Sequence, residues 1–112
     1  MTEIITGGRH CGKSLALVRR SAATGIYILV VNRKRALELA DLAREFGLYI
    51  PFPVTIREYF EANKFRGSSL ERDGIYIDDV DDVVKHIFST VEIKVVTFTT
   101  EADNGRSRTA CE

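Results

Sequence analysis

Residues Gly7 to Ser14 read Gly-Gly-Arg-His-Cys-Gly-Lys-Ser, a full match to the pattern G-x-x-x-x-G-K-[ST]. Glu3-Ile4-Ile5-Thr6, a short run of β type, precedes it, and Leu15-Ala16-Leu17-Val18, which can open a helix, follows. A chain that must turn from strand to helix over such a loop is directed towards a parallel α/β fold, because the loop is formed only where a strand ends and a helix begins. The glycines let successive backbone N–H groups curl inward towards a phosphate, and the helix adds its positive end. The expected phosphate-binding residues are therefore Gly7, Gly8, Arg9, His10, Cys11, Gly12, Lys13 and Ser14. Lys13 would reach the β- and γ-phosphates and Ser14 would give a hydroxyl to Mg²⁺, so the expected ligand is a magnesium-bound nucleoside triphosphate.

The rest of the chain continues the alternation. Residues 13–23 have a helical period, with Leu15, Leu17, Val18 and Ala22 apolar and Gly25 as a stop. Ile26-Tyr27-Ile28-Leu29-Val30-Val31 is a continuous apolar run, as in a strand buried on both faces. Residues 33–46 place Ala36, Leu37, Leu39, Ala40, Leu42, Ala43 and Phe46 on a helical period before Gly47. Pro51 and Pro53 mark residues 49–54 as edge or loop. Thr55 with Glu58 spells a capping box for a helix over 56–63, and residues 64–73 read as a polar loop. A strand ending at Asp78, a helix over 80–89 and a strand over 91–98 complete the order. The expected architecture is a three-layer α/β sandwich with a mostly parallel sheet of four to five strands. Residues 1–100 form the domain, and 101–112 read as a loose polar tail without a further strand.

With 112 residues there is room for one domain and one core. The formal charge is zero, but it is unevenly placed: residues 1–50 carry eight Lys or Arg against four Asp or Glu, and residues 51–112 carry eight against twelve. No stretch approaches the ~20 apolar residues that span a bilayer, and no signal-peptide pattern opens the chain. Cys11 lies in the loop and Cys111 in the tail, which reads as two free thiols in a reduced, cytoplasmic protein.

Gly74-Ile75-Tyr76-Ile77-Asp78-Asp79 is an apolar run ending in two carboxylates. It resembles the Walker B strand of P-loop NTPases, as the loop resembles their Walker A. The chain as a whole is similar to a minimal member of the additional-strand division, which includes RecA-like ATPases, helicases and terminase motors, over residues 3 to about 100. It also looks like the small uncharacterised ATP-binding proteins of bacteriophages and mobile elements, which implies the cytoplasm of a bacterial or phage-infected host. The resemblance implies that Asp78 holds Mg²⁺ through water alongside Ser14, and that Asp79 occupies the place of the acid that polarises the attacking water, with Lys13 as the other catalytic residue. Asp is one methylene shorter than the Glu usual there. Val30-Val31-Asn32 and the segment from Pro53 to Phe60 are similar to helicase segments, and Thr97, Thr99 and Thr100 fall where such ATPases place a γ-phosphate sensor; β-propensity and capping account for the same residues.

A monomeric helicase is not expected, since neither a second motor domain nor an arginine finger is evident; Arg57, Arg66 and Arg72 are finger candidates by position alone. Arg33, Lys34 and Arg35 are candidates for phosphates of nucleic acid or of a neighbouring subunit's nucleotide, or are a solvated helix start, although a helix dipole disfavours cations there. Other motif readings fail. His10-Cys11 lacks the arginine of a tyrosine phosphatase loop, because position 17 is Leu17. Tyr76-Ile77-Asp78-Asp79 matches a polymerase tetrapeptide in a chain too short for a polymerase palm. His86 reads as structural or exposed, and Asp81 and Asp82 as acids at a helix start.

Three function classes remain: a magnesium-dependent ATPase working with DNA, with further copies of itself, or within a motor, replication or packaging complex; a nucleotide-gated binding module without turnover; and a thymidine-kinase-like phosphotransferase, which would lack its expected zinc segment. The absence of Asn-Lys-x-Asp favours ATP over GTP.

Overall fold

The structure is a computed structural model that describes residues 3–6, 12–61, 68–97 and 108–110. Strand β1 (Ile4–Thr6) is followed by helix α1 (Lys13–Thr24), β2 (Ile28–Val30), α2 (Arg33–Glu45), β3 (Val54–Thr55) and α3 (Ile56–Phe60). Then come α4 (Ser69–Asp73), β4 (Tyr76–Ile77), α5 (Val80–Ile87) and β5 (Arg108–Ala110). The fold is a mixed α/β one around a small parallel sheet of order β3-β2-β4, with β2 pairing Leu29 to Val54 on one side and Ile28 to Tyr76 on the other.

The continuous apolar run of β2 explains its central place. Adjacent residues of a strand face opposite ways, so each face of the sheet needs its own cover. Ile28 and Val30 pack with Val18 of α1 and Ala36, Leu39 and Ala43 of α2. Leu29 packs instead with Val54, Ile56 of α3, Leu70 of α4 and Val83 of α5. Helices therefore cover both faces, as the alternation of elements implies. Ala36, Leu39 and Ala43 lie at one face of α2 by their spacing of three and four; Leu39, at 1% exposure, contributes about 2 kcal/mol by its burial.

Local signals set the element ends. Gly25 (φ 76°) terminates α1 with its N–H bonded to the Ser21 carbonyl at 2.8 Å. The buried Ser21 hydroxyl donates to the Ile26 carbonyl at 2.6 Å, which ties the helix end to the approach to β2. After α2, Gly47 (φ 67°) donates to Arg44 and Leu48 to Ala43, the paired bonds of a Schellman motif. Thr55 and Glu58 form the expected capping box at the start of α3.

Several expectations are corrected. The polar loop expected over 64–73 contains α4, capped by Ser68, whose side chain accepts from the Leu70 N–H at 3.2 Å. Residues 92–97, expected as a strand, have no regular structure; Val91, Val95 and Val96 are exposed, and β-propensity without a paired neighbour forms no ladder. The tail, expected to be loose, supplies β5, which pairs parallel to β1 from Ile4 and Arg108 to Thr6 and Ala110. Backbone pairing asks little of side chains, so a polar tail sequence gives no warning of it. In place of one sheet of four to five strands, the described residues form a three-stranded and a two-stranded sheet. The helix expected over 56–63 stops earlier, at Phe60, because Glu61 is extended (φ −78°, ψ 113°); residues 62 and 63 and Phe98 lie outside the described residues.

Candidate functional site

Parallel pairing brings the carboxyl ends of β2 and β4 to one edge, the place where open α/β sheets bind ligands. The ladder continues one residue past β4: the Tyr76 N–H bonds to the Tyr27 carbonyl and the Asp78 N–H to the Leu29 carbonyl, both at 3.0 Å. This fixes Asp78 just past β4 and beside the end of the central strand β2, where it is buried to 6% exposure.

The first five residues of the glycine loop, Gly7, Gly8, Arg9, His10 and Cys11, lie outside the described residues. Gly12 is left-handed (φ 85°) and its carbonyl starts α1 by accepting from the Ala16 N–H at 3.0 Å. A Cβ there would meet no atom within 4 Å, so the demand for glycine is conformational and not one of space. No side chain caps α1 and no acid stands in its first turn, which leaves the partial positive charge of the helix start uncompensated by the helix itself. Lys13 is exposed and Ser14 half-buried at that start.

The loop serine and the buried acid meet through Arg35. Its Nη2 donates to Ser14 Oγ at 2.5 Å and to Asp78 Oδ1 at 3.3 Å, and its Nε donates to Asp78 Oδ2 at 2.7 Å. Asp78 thus receives a two-pronged bond, the strong form of arginine–carboxylate pairing. A buried carboxylate without such a partner would be costly, and Asp78 in turn holds the Arg35 guanidinium above its usual proton affinity, chiefly through that hydrogen bond. The position of Arg35 is prepared locally: Asn32 caps α2, its Oδ1 accepting from the Arg35 N–H at 2.9 Å, so the first turn is fixed before the side chain reaches out. Nη1 bonds to Glu38 Oε1 at 3.2 Å, one turn further along the same helix.

In the sequence Arg35 stands in a basic cluster, and nothing adjacent to it names Ser14 or Asp78 as its partners. The available signal was the unfavourable placement of a cation in the first turn of a helix, which Asp78 now explains. Arg33 behaves differently, its guanidinium lying 5.7 Å from the centre of the Phe52 ring.

Asp79 is not brought to this cluster by any described contact. It is the one described residue other than glycine with a positive φ (φ 54°, ψ 75°), and it precedes α5 without capping it through its side chain. Its carboxyl group is engaged with Asp82: hydrogen bonding to Asp79, and then the Asp79 charge, push the Asp82 carboxyl above its usual range. Among the other candidates, Arg57, His86 and Thr97 are exposed, and Arg72 is 3.9 Å from Asp73. Arg66, Thr99 and Thr100 lie outside the described residues.

No cluster of three His, Cys, Asp or Glu occurs among the described residues. A magnesium ion does not need one: Ser14 Oγ and an Asp78 oxygen are hard donors of the kind it takes, with waters and phosphate oxygens completing the octahedron. An apolar groove of about 240 Å³ between α2 and residues 48–52, lined by Ala43, Tyr49 and Phe52 among others, shares no residue with this cluster. No helix among the described residues is long and apolar enough to cross a membrane. Comparison with protein families, with curated proteins and with solved structures finds no match for this chain.

Proposed function

We propose that this chain is a small P-loop nucleotide-binding protein that takes a magnesium-bound nucleoside triphosphate, ATP by preference, and hydrolyses it slowly as a subunit acting with DNA or a partner protein. The observation that supports this most is the convergence of Ser14, last residue of the glycine loop, and Asp78, the buried acid ending β4, on one guanidinium. Two residues 64 positions apart, each singled out by a separate motif, are held at one point, as a shared magnesium site requires. In this reading β3-β2-β4 and β1-β5 are two parts of one parallel P-loop core.

The chemistry follows from the residues. The glycine-loop N–H groups and the uncapped start of α1 bind the phosphates, and Lys13 places its charge on the β- and γ-oxygens. Ser14, and Asp78 through water, would hold Mg²⁺, which would supply positive charge to the β- and γ-phosphates. Asp79 accepts a hydrogen bond from the attacking water and orients it.

A second reading, a nucleotide-gated module without turnover, is favoured by one observation: Asp79 is exposed and no described contact brings its carboxyl to the Ser14–Asp78 pair. Phosphate release, measured with Mg²⁺-ATP in the presence and absence of single-stranded and double-stranded DNA, separates the two. Slow release that DNA accelerates and that Asp79→Ala abolishes supports the hydrolase; tight binding with no release under any condition overturns it in favour of the module.

A further inference from the structure

A cation already stands between the two oxygens assigned to magnesium. Nη2 of Arg35 is bonded to Ser14 Oγ and to Asp78 Oδ1 at once, so these oxygens lie no further apart than those two hydrogen bonds end to end. A magnesium ion bound to Ser14 Oγ at about 2.0–2.1 Å, together with the water through which Asp78 would hold it, would have to occupy the space that the guanidinium fills. Steric overlap and like charge both forbid sharing. Asp78 is buried, so it needs a positive partner at all times.

We propose that Arg35 and the divalent cation are alternative occupants of the Ser14–Asp78 site, and that metal loading drives the guanidinium out towards Glu38. The proposal rests on the reading of these oxygens as magnesium ligands and adds a control to it. The backbone of Arg35 is held by the Asn32 cap, so the exchange needs only side-chain rotation. An exit exists, since the Arg35 side chain is 32% exposed. A destination exists too: Glu38, half-exposed on the same helix face, already accepts from Nη1 at 3.2 Å and would retain the ion pair after the other bonds break. The guanidinium keeps its charge throughout, and no proton or covalent bond changes hands. Arg35 is a positioning residue in this scheme: it holds Ser14 and Asp78 in place until the metal arrives, and it raises the metal concentration needed.

The experiment is Mn²⁺ binding, followed by electron paramagnetic resonance without nucleotide, together with thermal unfolding with and without Mg²⁺, for wild type, Arg35→Gln, Arg35→Lys and Glu38→Gln. Arg35→Gln leaves Asp78 without its cation. Its melting temperature should fall and be restored by millimolar Mg²⁺, and its Mn²⁺ affinity should exceed wild type by ~10-fold or more, within the usual span of coupling between competing ligands. Adding Asp78→Asn to Arg35→Gln should remove both effects. Should Arg35→Gln fail to fold, Arg35→Lys carries the same expectation in smaller measure, since an ammonium cannot make the two-pronged bond to Asp78 while reaching Ser14. Glu38→Gln, which lacks the charged destination, should bind Mn²⁺ more weakly than wild type. Equal Mn²⁺ affinity in wild type and both Arg35 variants overturns the exchange. Mg²⁺-ATP binding by the wild type is scored separately: if it occurs while Mn²⁺ affinities are equal, the nucleotide reading stands and the exchange falls; if it never occurs while Arg35→Gln gains Mn²⁺, the reverse holds.

Discussion

Replacing Asp79 by Gly and, separately, by Ala tests whether backbone strain is stored beside Asp78. Both changes remove the carboxylate, so its repulsion with Asp82 and its attraction to the start of α5 cancel in the comparison. At an ordinary helical or extended position Ala is more stable than Gly by about 0.5–1 kcal/mol, because Gly loses more freedom on folding. At φ 54° and ψ 75° the order should invert. A Cβ in left-handed backbone costs roughly 1–2 kcal/mol, which Gly escapes. The two terms oppose, leaving Asp79→Gly more stable than Asp79→Ala by about 0.5–1 kcal/mol. In a domain of this size that corresponds to a difference of roughly 2–6 °C in melting temperature. Thermal and urea unfolding followed by circular dichroism read it directly. If the Ala variant proves as stable as the Gly variant or more so, residue 79 does not occupy left-handed backbone and the strain argument fails. Strain of this kind persists where the surroundings over-determine the conformation, and at the residue after Asp78 it sets the direction of the second acid.

Other outcomes follow from the same geometry. Thr55→Ala removes the hydroxyl that accepts from the Glu58 N–H at 3.1 Å, and should cost about 1 kcal/mol in urea unfolding, whereas Thr55→Ser should cost far less; equal losses would show that the cap contributes nothing. The Asp82 carboxyl, raised above its usual value of 3.8 by Asp79, should titrate lower in Asp79→Asn when followed by carboxyl-carbon NMR, and an unchanged midpoint would contradict the pairing. The sign for stability is that of an acid with a raised folded value: the contribution is complete below about 3.8 and is lost as pH rises through the folded value, so acidification relieves the Asp79–Asp82 repulsion.

The layered plan was legible because its signals are local. The run ending in Val30-Val31 announces a strand buried on both faces, and the spacing of Ala36, Leu39 and Ala43 announces the helix face that covers it. Ser68 and Glu71 have the sequence spacing of a capping box, which points to α4, but a five-residue helix whose one apolar residue is Leu70 carries too little apolar period to be noticed. Residues 91–97 show the opposite failure: they have strong β-propensity, yet pairing depends on a neighbour that no local pattern specifies. Strand β5 was hidden for the same reason, as backbone pairing with β1 is nearly independent of side chains. At the site, Ser14 and Asp78 were legible from motifs. Arg35 was not, because its partners lie 21 and 43 residues away, and only folding shows which acid a basic cluster meets.

The most direct test of the central claim is a calorimetric titration of Mg²⁺-ATP into the wild-type protein and Lys13→Ala. Binding to the wild type should be saturable and magnesium-dependent, and binding to the variant at least ~10-fold weaker, the scale of losing one charged hydrogen-bond donor to a phosphate. Equal affinity in the two proteins, or no binding to the wild type, would contradict that claim.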